Sequence, residues 1–213
     1  MRSFLVVYGT GEGQTAQIAT RLAEGIEDRG HDVTTVDVEE FPDALADELS
    51  EEVSLATFDA ILVGSSVHIG KHHSGIREFI ETNRGRLERR PTGFFQVSLS
   101  SAEDDPERRA EAASYVDSLL ESAEWNPDRI GLFGGALRYS KYGFLKRLVM
   151  KRIARKTIGD TDTSQDYEYT DWEEVDAFAN DFAAFVEGRL GSDTESPTAG
   201  DSEGARATED TEK

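Results

Sequence analysis

Gly9-Thr10-Gly11-Glu12-Gly13-Gln14-Thr15 joins the apolar run 4–8 to residues 15–29, where Ile18, Leu22, Ala23 and Ile26 recur at helical spacing. A strand passing through glycines into a helix aims the first helical N–H groups at the loop, and such an end binds anions. Thr10 and Thr15 add hydroxyl donors. The pattern predicts a phosphate cradle built from neutral donors; the alternative is a plain glycine-rich turn. A dinucleotide fingerprint needs Gly where Gln14 stands, and a Walker loop needs a Lys that is absent here. The cradle therefore suits a single terminal phosphate. Glu12, awkward beside an anion, is expected to turn to solvent.

The alternation continues along the chain. Residues 33–38 are strand-like, 60–63 form an apolar run ending at Gly64, 93–98 form another strand, and 130–137 form a fifth that contains Gly134 and Gly135. Residues 44–53, 74–84 and 106–123 read as helices. The last helix, 171–189, carries Val175, Phe178, Phe182, Phe185 and Val186 as a core stripe, with Thr170 or Asp171 as its cap. Five such units predict an α/β fold, a five-stranded parallel sheet with helices on both faces. Ligands in such sheets bind beyond the strands' carboxyl ends. Two segments break the rhythm. An insertion at 138–170 follows the fifth strand and is too long for an ordinary loop. Residues 191–213 hold no large apolar side chain and are expected to be a disordered acidic tail. The domain is thus placed at 1–190.

Composition narrows the function. The 213 residues include 43 acids against 23 bases, a net charge of −20. That field repels phosphate backbones, so no nucleic-acid partner is expected. No Cys is present, which excludes disulfides, thiolate metal sites and Cys nucleophiles. Uncharged runs fall short of the roughly 18 residues that span a bilayer. MRSFLVVYG shows no cleavage site, so a soluble, cytoplasmic protein is expected. Seventeen of the bases are Arg and six are Lys. Acid-rich, Lys-poor chains stay soluble in concentrated salt, which predicts a salt-adapted, halophilic source.

The strand, the Thr-x-x-Gly-x-Thr loop and the helix, within five β/α units, resemble a flavodoxin-type FMN domain. One branch is closer still. Gly64-Ser65-Ser66-Val67-His68-Ile69-Gly70-Lys71-His72-His73-Ser74, Trp125-Asn126-Pro127-Asp128-Arg129, Gly134-Gly135-Ala136-Leu137-Arg138-Tyr139, Thr161-Asp162-Thr163 and Tyr169-Thr170-Asp171-Trp172 resemble the quinone-dependent protoporphyrinogen oxidase (dehydrogenase) family. That resemblance implies an FMN enzyme of haem biosynthesis that oxidises protoporphyrinogen IX and passes electrons to a quinone. It implies cofactor contacts at Thr10, Gly11, Glu12, Gly13, Gln14 and Thr15, at Ser65, Ser66, Val67, His68 and Gly70, and at Ser98, Leu99 and Ser100. It supplies no catalytic acid or base. The competing functions are a soluble flavodoxin-like electron carrier and an FMN-dependent quinone reductase.

Individual residues add detail. His68 stands where an aromatic ring often stacks on the flavin; His68, His72 and His73 as metal ligands would lack a nearby carboxylate or Cys to complete a site, so no metal site is expected. The loop after 98 has no aromatic, which leaves a flavin face open to substrate unless Tyr139 or Tyr142 covers it. Arg138 and Tyr139 are candidate substrate contacts, Arg138 pairing with a propionate. Residues 138–156 contain Arg138, Lys141, Lys146, Arg147, Lys151, Arg152, Arg155 and Lys156 and no acid. With apolar Phe144, Leu145, Leu148 and Val149, this stretch predicts peripheral contact with the inner face of the cell membrane. Its own acidic domain and a second subunit of a homo-oligomer are the alternatives.

Overall fold

Strand β1 (Ser3–Gly9) forms around four successive apolar residues, Phe4 to Val7, all buried, because layers cover both faces of the sheet. The computed structural model describes residues 1–39, 55–101, 106–137 and 166–192. Helix α1 (Gln14–Glu27) follows, then β2 (Asp32–Asp37), β3 (Ala60–His68), β4 (Lys71–His72), α2 (Ser74–Leu87), β5 (Thr92–Ser98), α3 (Pro106–Ala123), β6 (Arg129–Gly134), β7 (Ala136–Leu137), β8 (Tyr167–Glu168) and α4 (Trp172–Ser192).

The five long strands pair in the order β2-β1-β3-β5-β6, all parallel. The register brings Gly9 beside Ser65, Ser66 beside Val97, and Ser98 beside Gly134. One edge of the sheet therefore collects the described starts of the loops that follow β1, β3 and β5. The chain order reverses at β1, so the crevice opens between the ends of β1 and β3.

Alternate residues serve opposite layers. Phe4, Val6, Leu62, Phe95 and Phe133 pack under α1 and α4, with Ile18, Leu22, Val175 and Phe182. Leu5, Val7, Ile61, Val63 and Phe94 pack under α2 and α3, with Ile76, Phe79, Val116 and Leu119. Trp125 is buried in this second layer, and Phe182 is fully buried in the first. Helices α1 and α4 meet closely at Gly25, where a Cβ would lie 2.9 Å from that of Ala179. Arg21 grips Asp176 and Arg29 grips Glu187 across the same seam.

Two strands depart from the expected reading. The third does not stop at residue 63. It runs to His68 because the polar Ser65 and Ser66 still pair with β1 and β5, and it then folds back as β4. Ile69 and Gly70 form the turn at φ 50° and 71°, the left-handed values a two-residue hairpin requires. The fifth strand is not continuous to 137. It breaks at Gly135, whose N–H donates to Ser98 O at 3.0 Å and whose carbonyl accepts Tyr169 N–H at 3.0 Å. Ala136 and Leu137 instead pair antiparallel with β8. The expected helix 44–53, the basic insertion with Arg138 and Tyr139, and the tail from 193 onward lie outside the described residues.

Candidate functional site

The first loop is shaped by one side chain and one glycine. Gly13 N–H donates to Thr10 Oγ1 at 2.9 Å, closing the turn. Gly13 itself sits at φ 97° and serves as N-cap of α1 without a side-chain cap. No acid follows in the first helical turn. An uncapped N-terminus in a left-handed glycine turn presents N–H groups outward, as a phosphate needs. A Cβ on Gly11 would meet nothing within 4 Å, so the loop borders open space. The donor chemistry and the shape fit the phosphate end of a flavin nucleotide.

Above the crevice lies a slot lined by Thr10, Gly11, Glu12, Gln14 and Thr15 from the first loop. Ser66, Val67 and His68 line it from β3, and Val97, Ser98, Leu99, Gly135 and Ala136 from the ends of β5 and β6. Four of the residues singled out from sequence stand behind these walls. Gly13 forms the cap. Ser65 is fully buried and accepts His73 N–H at 3.1 Å. Gly70 makes the hairpin turn, and Ser100 donates to Glu111. Glu12 departs from expectation. It lines the slot, and its Oε1 is shielded from solvent. Val97, Gly135 and Ala136 escaped sequence reasoning. The signal was the glycine pair 134–135, which reads as strand interior until the bend is seen.

The slot is tied to the rest of the fold by hydrogen bonds that no motif announces. Gln14 Nε2 donates to Thr170 Oγ1 at 2.8 Å, and that hydroxyl donates to Gly134 O at 2.8 Å. Thr170 thus connects the first loop to the end of β6. The capping role goes to Asp171, whose Oδ1 accepts the N–H groups of Glu173 and Glu174. Ser98 Oγ pairs with Ser101 Oγ at 2.8 Å and rounds the loop after β5.

The histidines divide by burial. His68 is exposed at the slot. His73 caps α2 and bonds Glu39 at 3.0 Å. His72 is buried against Phe94, its Nε2–H donating to Tyr115 O at 3.2 Å. Burial lowers its pKa to about 4, with Arg77 adding repulsion, so it is neutral at pH 7. Among the described residues no cluster of His, Asp and Glu forms a metal site. Beside the slot, a cavity of about 1130 Å³ opens between α3, β6 and the start of α4, with Arg109, Leu132, Tyr169 and Trp172 in its walls.

Residues 5–164 match the flavodoxin domain family. Protoporphyrinogen IX dehydrogenase [quinone] of Escherichia coli strain K12 is 33% identical over 180 residues, covering 84% of this chain and 93% of the relative. The protein of the same name from Leishmania major is 30% identical over 180 residues, covering 84% of this chain and 74% of the relative. A short-chain flavodoxin associated with a PDU bacterial microcompartment shares the fold at TM-score 0.52 and 12% identity, with 87% of this chain and 99% of that one covered.

Proposed function

The chain belongs to the flavodoxin domain family, in the branch of the quinone-dependent protoporphyrinogen IX dehydrogenases, and is a flavin-dependent oxidoreductase; we propose that it binds FMN and oxidises protoporphyrinogen IX to protoporphyrin IX with a quinone as acceptor. The observation that supports FMN is the uncapped, acid-free start of α1 opening on the slot. Thr10, Gly11, Gln14 and Thr15 would hold the phosphate. Ser66, Val67, His68, Ser98, Leu99, Gly135 and Ala136 would border the ring. Bound there, a flavin would supply two-electron steps; porphyrinogen to porphyrin loses six electrons and six protons, so three such rounds would each pass two electrons and two protons to a quinone, giving three hydroquinones.

The chain's own part is to bind, orient and leave access. Among the described lining residues the imidazole of His68 is the sole aromatic ring, so the wall formed by Ser98 and Leu99 leaves room for a substrate carbon. An electron carrier needs no such opening, and this favours the dehydrogenase. The neighbouring cavity has room for a tetrapyrrole-sized molecule. Arg138 pairing with a propionate, and residues 138–156 resting on an anionic membrane surface where a lipid-soluble quinone resides, complete the reading. Among the described residues no helix is long and apolar enough to cross a membrane.

The test is purification in high salt, identification of the released flavin, and anaerobic mixing with protoporphyrinogen followed by a menaquinone analogue. Bleaching by porphyrinogen and recovery with the quinone are expected; NADH and NADPH should reduce the flavin slowly. Released FAD refutes the cofactor assignment. A flavin reduced only by a separate reductase returns the protein to the carrier class. Flotation with liposomes containing anionic lipid checks the surface contact, and loss of folding at low salt checks the salt adaptation.

A further inference from the structure

The ladder between β3 and β5 ends at Ser66 and Val97. Beyond it the two walls of the slot separate, one as the β3–β4 hairpin and the other as the turn 99–101. A single turn of α3 reaches both. Glu111 Oε2 accepts the Ser100 hydroxyl at 3.0 Å, and Glu111 Oε1 accepts the Tyr115 phenol at 2.8 Å. The Tyr115 ring lies against the hairpin turn, 3.4 Å from where a Cβ on Gly70 would stand, and its carbonyl accepts His72 Nε2–H. We propose that Glu111 is a positioning residue that fixes the separation of the two walls and thereby the grip on the flavin ring. This rests on the flavin reading above. Glu111 does not line the slot, so its effect passes through Ser100 and Tyr115. Burial, with Glu111 beside it, raises the pKa of the Tyr115 phenol, which keeps it a donor.

The experiment compares wild type with Glu111→Ala, Glu111→Gln, Tyr115→Phe and, as control on the same helix, Glu121→Ala. Amide hydrogen exchange of the flavin-free protein is read at residues 67–72 and 98–101. Dissociation constants are measured for FMN and for riboflavin, which has the ring without the phosphate. Glu111→Ala should speed exchange several-fold in both segments together and raise both constants by a similar factor, about tenfold. Gln can accept from Tyr115 and donate to Ser100, so Glu111→Gln should restore most of the effect. Tyr115→Phe, which loses one of the two bonds, should fall between. Gly13→Val should weaken FMN far more than riboflavin, marking the phosphate end. Exchange that changes in one segment alone or in neither, or flavin constants within twofold of wild type, overturns the proposal. A wild type that takes up neither flavin overturns the flavin reading instead, and the exchange data still decide the coupling of the walls.

Discussion

The proposed phosphate end of the slot and its proposed ring end are built in opposite ways. The phosphate end is seven consecutive residues whose backbone does the work: one hydroxyl, one left-handed glycine and an uncapped helix. The ring end is assembled from a hairpin at 66–72, a turn at 98–101, a bend at 135 and a helical turn at 111–115. These are joined by side chains far apart in sequence. A local motif determines the first. The second exists only because four parallel pairings bring those segments to one edge. The first should respond to charge and backbone changes that act on the phosphate alone, and the second to packing and hydrogen bonding at a distance.

The largest effect is expected in the sheet core, just before the β3 residues that line the slot. A Cβ on Gly64 would lie 2.0 Å from Phe95 Cζ, and that ring is fully buried. Gly64→Ala should cost about 3 kcal/mol or more, read as a fall in the urea midpoint. A smaller loss would show that the layer under α1 and α4 has room to give.

Acid should loosen the ring end next. The folded-state pKa of His72 is about 4, below its unfolded value near 6.5. The unfolded chain binds the proton first, so this contribution is complete above pH 6.5 and is lost as pH falls to 4. It reaches up to about 3 kcal/mol at 1.36 kcal/mol per unit. His72→Gln should flatten that part of the stability profile between pH 6.5 and 4. Asp176 and Glu187 are also held below the ordinary carboxylate range, by bonds to Arg21 and Arg29. They remain in both proteins, so their acid sensitivity cancels in the comparison. Parallel profiles for wild type and variant would refute the assignment.

At the phosphate end, Glu12 faces the slot and opposes an anion. Glu12→Gln should tighten FMN about fivefold, on the order of 1 kcal/mol, and leave riboflavin unchanged. Equal gains for both ligands would place Glu12 beside the ring instead. The smallest effect belongs to the hairpin tip. Ile69 is a β-branched residue at φ 50°, 78% exposed, where a hairpin turn prefers Asn. Ile69→Asn should stabilise the fold by about 0.5–1 kcal/mol, measured by thermal unfolding. Slower reoxidation by the quinone in that variant would show that the exposed side chain touches the acceptor.

Much of this was legible in the residues themselves. Helix α3 spans 106–123 as the spacing predicted, and residues expected at the carboxyl edge after β1, β3 and β5 line the slot. What sequence missed shares a cause. Ser65 and Ser66 look like the end of a strand because polarity interrupts the apolar run, yet the neighbouring backbones keep pairing. Gly134 and Gly135 look like strand because nothing local reports that Ser98 O and Tyr169 N–H draw residue 135 aside. Thr170 and Asp171 both read as helix caps; Asp171 takes that role, and only the tertiary contacts show Thr170 joining Gln14 to Gly134.

The sequence by itself determined the alternation of strands and helices, the character of the first loop and the absence there of a dinucleotide fingerprint and a Walker lysine. Each of these depends on residues within a turn or two of one another. Only the tertiary structure decided that Glu12 lines the slot, that Gly135 and Ala136 border it, and that one turn of α3 reaches both of its walls. Those features depend on contacts between segments tens of residues apart, and such contacts are fixed by the sheet order and by packing across its faces.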